Sequence, residues 1–479
     1  MKVKINGKDE AVEKENLSIA ELLIINKVDM PDMVSVELNG TMLDRSQYKT
    51  AYLKEGDAVE FLYFMGGGQE QDFQTKAVHG GYIGGDQFWP GTMPIYETAA
   101  FACETAEEMA DLFTGRKYGF TYSRTGNPTV TAFEQKLNAL DNGRGAVATA
   151  SGMAAITSIL LALTESGDEI AASGGLFGGT ILLFKDVLKK YGVNALYAKS
   201  QVPADFEAVI NDRTRAIYVE TIGNPKLDIP DLGALSALGK KHNIPVIADA
   251  TLSTPYLLDA KKFGVDIAVY STTKYITGSG TAIGGAFVDL GNFDWTGTKS
   301  EAIKKASARF RDLAFLAVAR KQIVQNTGGC TSPFHAYLQN MGLETLSLRI
   351  ERHSTNAQML AEYLEKHPSV KTVSYPGLPG NQYHEIAKKQ FNGLYSGLLT
   401  FTLDNREKCF NFINRLKLVK KMTNFGDAKT LVIHPLSTIY ADCTDEEAQS
   451  AGVTDDLIRV SVGLEGIKDI IADFEQALQ

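Results

Sequence analysis

The chain has 479 residues, with 48 Lys and Arg against 57 Asp and Glu and a formal net charge of -9. That length exceeds one ordinary domain and allows a large core, so two or three domains are expected. The acidic balance argues against a general nucleic-acid binder, whose affinity needs clustered Lys and Arg, and no run approaches the ~18 to 20 apolar residues of a membrane span.

The cysteines, Cys103, Cys330, Cys409 and Cys443, are scattered without CxxC or Cys/His spacing, so neither a metal site nor a disulfide framework is expected. The opening Met1-Lys2-Val3-Lys4-Ile5 alternates like a strand and does not read as a signal peptide, which makes a cytoplasmic protein the expectation.

In chain order, the pattern predicts a strand over Met1 to Ile5, a helix over Ser18 to Ile25, and strands over Met33 to Leu38 and Ala58 to Phe64. Asn39-Gly40 marks a tight reversal, because both residues tolerate positive φ. Met65-Gly66-Gly67-Gly68 and the polar Gln69 to Asp72 then break the pattern, so residues 1–68 read as one domain and 69–72 as a linker.

From about Phe133, helical stretches alternate with short apolar runs such as Ala216 to Val219, Pro245 to Ala248 and Ile267 to Tyr270. That alternation predicts an α/β domain over 133–333 with a mainly parallel sheet covered on both faces. A long amphipathic stretch, Leu338 to Leu364, opens a smaller α+β domain with fewer buried strands over 334–479.

Chemistry gathers where apolar runs end. Val246-Ile247-Ala248-Asp249 ends on a carboxylate, and Ile267 to Tyr270 runs into Ser271-Thr272-Thr273-Lys274. Ligands in such sheets collect at the carboxyl ends of strands, so Asp249, Ser271, Thr273 and Lys274 are expected to face one place. A lysine for an imine, a carboxylate for a pyridinium and donors for a phosphate are what pyridoxal 5'-phosphate (PLP) chemistry requires. Taken alone, the same residues suit a capping Asp and a surface Lys. Ser151-Gly152-Met153 adds a helix start whose backbone N–H groups suit an anion, although by itself it is also an ordinary N-cap.

From about Phe73 to the C-terminus these motifs resemble the PLP-dependent enzymes of cysteine and methionine metabolism. The resemblance implies fold type I, aspartate aminotransferase-like, with Lys274 as the Schiff-base lysine and proton shuttle and Asp249 as the pyridinium partner. It implies phosphate contacts from Ser151, Gly152, Met153, Ser271 and Thr273, and a ring contact from Asn224. Tyr122 and Arg124, in the 73–132 segment, match residues that reach the cofactor of a neighbouring subunit, which implies a homotetramer; Tyr122 also belongs to the substrate site. Arg459 matches the arginine that holds the substrate α-carboxylate, a task its planar fork suits. The usual stacking tyrosine is Phe177 here, within Leu176-Phe177-Gly178-Gly179-Thr180, so a hydroxyl is missing.

Two passages, Asn326 to Pro333 and Asn424-Phe425-Gly426-Asp427-Ala428-Lys429-Thr430-Leu431 before His434-Pro435, resemble the O-acetylhomoserine sulfhydrylase branch. That implies γ-replacement on an O-acyl-homoserine, with Asn424 at the substrate. Residues 1–68 resemble the small β-grasp, ubiquitin-like sulfur carriers of thiamin and molybdopterin synthesis, with Gly67 and Gly68 at the position of the carrier terminus. The sulfur source implied is sulfide or a protein thiocarboxylate, the latter requiring an activating enzyme and a processing protease. Methionine γ-lyase, cystathionine γ-synthase and a non-catalytic carrier or scaffold remain open at this point.

Overall fold

In the computed structural model, residues 1–479 are described except 13, 15, 27–33, 44–46, 64–70, 82–89, 115 and 118. Two compact units emerge, residues 1–76 with 98–128, and residues 77–97 with 129–479.

The first unit carries a mixed five-stranded sheet. Its strands are β1 (Lys2–Ile5), β2 (Lys8–Ala11), β3 (Val34–Leu38), β4 (Thr41–Met42) and β5 (Ala58–Tyr63), in the order β2-β1-β5-β3-β4. β1 and β5 run parallel while the remaining pairs are antiparallel. Helix α1 (Ile19–Ile25) starts on a capping box in which Ser18 accepts from the Glu21 N–H and the Glu21 side chain accepts from Ser18. Ile19, Leu22 and Leu23 of α1 join Val3, Ile5, Val36 and Val59 in one core, which gives the β-grasp arrangement. Asn39 and Gly40 take positive φ between β3 and β4, and Asn6 and Gly7 do the same between β1 and β2. The predicted strands are present; Met33, Phe64 and the glycines at 66–68 lie outside the described residues.

The second unit is built on seven strands, β6 (Gly145–Thr149), β7 (Glu169–Ser173), β8 (Asn194–Ala198), β9 (Thr214–Glu220), β10 (Val246–Asp249), β11 (Ile267–Tyr270) and β12 (Gly285–Asp289). They lie in the order β6-β12-β11-β10-β9-β7-β8. β8, β7, β9, β10 and β11 run parallel to one another, and β12 is antiparallel to both of its neighbours, β11 and β6. Successive residues of β7, β11 and β12 are all buried, as a sheet covered on both faces requires.

A second sheet in this unit joins β13 (Thr372–Ser374), β14 (Leu398–Thr402), β15 (Lys420–Lys421), β16 (Leu431–Ile433) and β17 (Leu457–Ser461) in the order β13-β14-β17-β16-β15. β14, β16 and β17 are almost wholly buried, so this region holds more core strand than its sequence suggested. The amphipathic stretch Leu338 to Leu364 is not one helix. It is divided at Thr345 between the helices Pro333–Glu344 and Leu346–Glu365. Arg349 accounts for the break: its guanidinium donates to the carbonyls of Gly342, Tyr275 and Ile276, anchoring the end of the first helix to the segment that follows Lys274.

Candidate active site

At the carboxyl ends of β9, β10 and β11 lies a cavity of about 340 Å³. Its wall includes Ser151, Gly152, Met153, Phe177, Asn224, Asp249, Ser271, Thr273, Lys274 and Arg459, residues from distant parts of the sequence. Tyr122 and Arg124 belong to the other unit, where the Arg124 guanidinium lies 5.5 Å from the centre of the Tyr122 ring.

Helix α2 (Gly152–Leu163) begins at this wall, with Ser151 as its N-cap accepting from the Ala154 N–H at 3.1 Å. The first turn of such a helix leaves N–H groups without intrahelical acceptors, which suits an anion. Gly152 must stay small: a Cβ there would lie 2.7 Å from Ser271 Cβ. The Ser271 N–H is fixed in turn by Thr251 Oγ1 at 2.8 Å. Thr273 spends its hydroxyl proton on the Gly284 carbonyl at 3.1 Å and accepts from the Gly284 N–H at 3.0 Å, so donating to an anion would require its hydroxyl to turn.

Asp249 closes β10, half-buried at the cavity wall. The Thr251 N–H donates to Oδ1 at 3.0 Å and the Tyr218 hydroxyl to Oδ2 at 3.4 Å. Burial nevertheless raises the pKa above the ordinary aspartate value, against the pull of those donors. A cationic N–H placed against this carboxylate would reverse that shift.

Lys274 Nζ donates to Asn424 Oδ1 at 2.5 Å and sits 4.9 Å from the centre of the Phe425 ring. Burial and the charge of Arg459 together bring its pKa down to about 8, so a usable fraction of neutral amine exists near neutral pH. Arg459, on β17, is buried; its Nη1 donates to Asn224 Oδ1 at 2.9 Å and its Nη2 to the Asn424 carbonyl at 3.1 Å. Its Nε is buried without a hydrogen-bond partner, and burial brings the guanidinium down to about 10. A buried donor left open beside an amine and a carboxylate fits an anionic group arriving from outside.

The donor set fits PLP: an amine, a carboxylate at a strand end, a helix N-terminus narrowed to glycine and an aromatic wall at Phe177. Glu220, Thr251, Phe425 and Leu252 are among the lining residues that sequence reasoning did not single out. Glu220 carried the same signal as Asp249, a carboxylate closing an apolar run. Phe425 and Leu252 carried none, since an apolar residue in a loop gives no sign of which surface it will wall.

Comparison with known proteins points to the same cofactor. Residues 74–479 match the Cys/Met metabolism PLP-dependent enzyme family, and residues 2–68 match the ThiS family. The chain is 40% identical over 432 residues to a homocysteine synthase of Schizosaccharomyces pombe, covering 86% of this chain and 99% of that protein. It is 39% identical over 425 residues to an O-acetyl-L-homoserine sulfhydrylase of Leptospira meyeri, covering 85% and 96%. Among solved structures, an O-acetylhomoserine (thiol)-lyase of Campylobacter jejuni that carries a pyridoxyl-lysine phosphate superposes with a TM-score of 0.81 at 35% identity, over 85% of this chain and 100% of that one.

Proposed function

We propose that this chain, which belongs to the Cys/Met metabolism PLP-dependent enzymes, catalyses γ-replacement of the acyloxy group of an O-acyl-homoserine, acetate first, by sulfur, giving homocysteine and the free carboxylate. The observation that carries this reading is the convergence of Lys274, Asp249 and Arg459 on one cavity wall, with the amine neutralised in part by burial.

When bound, PLP supplies an electron sink for the pair left at the substrate Cα. Gly152, Met153, Ser151 and Ser271 would hold its phosphate, Asp249 its ring nitrogen, and Phe177 and Asn224 its faces and edge. Tyr122 and Arg124 of a neighbouring copy would complete the phosphate site in a homotetramer. Arg459 receives the α-carboxylate on its open Nε, since Nη1 and Nη2 are already held by Asn224 and Asn424. Lys274 Nζ, neutral once its proton is gone, takes the proton at Cα, hands it on, and as the free amine again takes one at Cβ as the carboxylate leaves Cγ with the Cγ–O bonding pair. Asn424 Oδ1 gives the amine a fixed resting point between those transfers.

Phe177 offers no proton to the leaving group, which suits a carboxylate ester better than a poor leaving group such as a thiolate. Acetyl-, succinyl- and phospho-homoserine should be compared with sulfide as nucleophile, and methionine supplied alone. The expected result is fastest turnover of the acetyl ester; rapid 2-oxobutyrate from methionine alone would instead identify a γ-lyase.

The ThiS match supports a protein-borne sulfur source. In this reading cleavage after Gly68 releases residues 1–68, an activating enzyme converts that terminus to a thiocarboxylate, and the enzyme accepts the sulfur from it or from free sulfide. Intact mass of protein taken from its native host tests the cleavage. A fragment ending at Gly68 is expected, and a purely full-length species excludes processing.

A further inference from the structure

Glu220 closes β9 beside Asp249 of β10, to which it is the in-register neighbour. It is buried at 7% exposure and lines the cavity. Its two oxygens point in different directions. Oε1 accepts from the Phe177 N–H at 2.7 Å, and Oε2 accepts from the Asn224 N–H at 3.1 Å. Both donors belong to residues on the cavity wall, and they come from separate loops 47 positions apart.

The connections continue past these two. Asn224 presents Oδ1 to Arg459 Nη1, Arg459 Nη2 reaches the Asn424 carbonyl, and Asn424 Oδ1 receives Lys274 Nζ. One hydrogen-bonded path therefore runs from the aromatic wall at Phe177 to the reactive amine, with Glu220 as the link between its two arms. On the Phe177 side the fit is close: a Cβ on Gly179 would lie 2.6 Å from the Phe177 ring, so the ring lies folded over that glycine.

We infer that Glu220 is a positioning residue, whose carboxylate sets the Phe177 ring against the cofactor and, through Asn224, aims Arg459 at the substrate carboxylate. This rests on the reading of the cavity as the PLP and amino-acid site. A carboxylate suits the task because it accepts twice at a wide angle and donates nothing, whereas an amide of the same shape must turn an NH₂ toward one of the two N–H groups. Burial and the neighbouring Asp249 push Glu220 well above the ordinary glutamate range, and the two N–H donors act against that. The position is therefore held for what it organises, since a buried carboxylate beside a second one is an unfavourable way to fill space.

The test compares Glu220→Gln, Asn224→Ala and the double variant with the parent chain. Equilibrium dialysis of PLP against each apoprotein, and visible circular dichroism of each holoprotein, report the cofactor without any substrate, so this result is independent of which ester the enzyme uses. Glu220→Gln is expected to melt with the parent as apoprotein, to bind PLP about 10- to 100-fold more weakly and to show an altered visible dichroic band. With substrate, KM should rise more than kcat falls, and the double variant should raise KM no further than Asn224→Ala alone, since both act on Arg459 by one route. Unchanged PLP affinity and dichroism, or KM effects that multiply in the double variant, would overturn the inference. An apoprotein that fails to fold or melts far below the parent would overturn it too, by assigning Glu220 to the core.

Discussion

Lys274 is held between two influences that oppose its charge, burial and the guanidinium of Arg459. Reductive methylation of the apoprotein with labelled formaldehyde, followed by NMR across pH, should give a midpoint near 8 for this amine rather than the ordinary 10.5. Arg459→Met removes the second influence and should move the midpoint upward; a midpoint that does not respond means burial acts alone. At this scale the sequence was legible where a side chain of the cavity wall closes or closely follows an apolar run, as Asp249 and Lys274 do. Arg459 and Asn224 were found only through family resemblance, since an Arg within Leu457–Ser461 reads equally as a solvated side chain. Glu220 bore the visible signal, but only the register of β9 and β10 turns two strand-end carboxylates into neighbours.

Elements place these side chains by close approach. α2 meets the loop after β11 at Gly152, where a methyl group would collide with Ser271 Cβ. Gly152→Ala should therefore weaken PLP binding about 10-fold or more, measured by dialysis, with the melting temperature of the apoprotein little changed; unaltered binding would remove the glycine from the phosphate site. A second prediction concerns the start of β11. Asp266 Oδ2 accepts from the Val246 N–H at 2.7 Å, and burial, with Asp289 adding, pushes its carboxyl up to about 7. Because the folded value lies above the ordinary 3.8, the folded state favours the neutral acid, and the associated stability is lost as pH rises from about 4 to 7. Asp266→Asn keeps an acceptor and does not titrate. Its melting temperature should exceed the parent's most at pH 8 and approach it toward pH 5, whereas a constant gap would show that the carboxyl ionises normally in the fold.

Strands and helices themselves were read well where periodicity was long, and poorly where local chemistry decided. The hairpin strand β2 went unread although Asn6-Gly7 carries the same turn signal as Asn39-Gly40. Three charged residues and an alanine in a short edge strand give no apolar alternation to find. The division at Thr345 was hidden for the opposite reason. Its apolar pattern continues through the break, and the cause is a tertiary contact of Arg349 with carbonyls about 75 residues away.

Over the whole molecule, one chain carries matches to two families, ThiS over residues 2–68 and the Cys/Met metabolism PLP-dependent enzymes over residues 74–479. The two family matches end at residue 68 and begin at residue 74, on either side of the glycines and polar residues of 66–72, whereas the compact units divide the chain differently, with 98–128 grouped with the N-terminal residues. No helix among the described residues is long and apolar enough to cross a membrane. The central claim is the γ-replacement itself, and a single incubation tests it. Purified PLP-loaded protein is given O-acetyl-L-homoserine with and without sulfide, and homocysteine and 2-oxobutyrate are measured in the same samples. The account predicts homocysteine as the main product when sulfide is present, abolished in Lys274→Ala; 2-oxobutyrate dominating whether or not sulfide is supplied would contradict it.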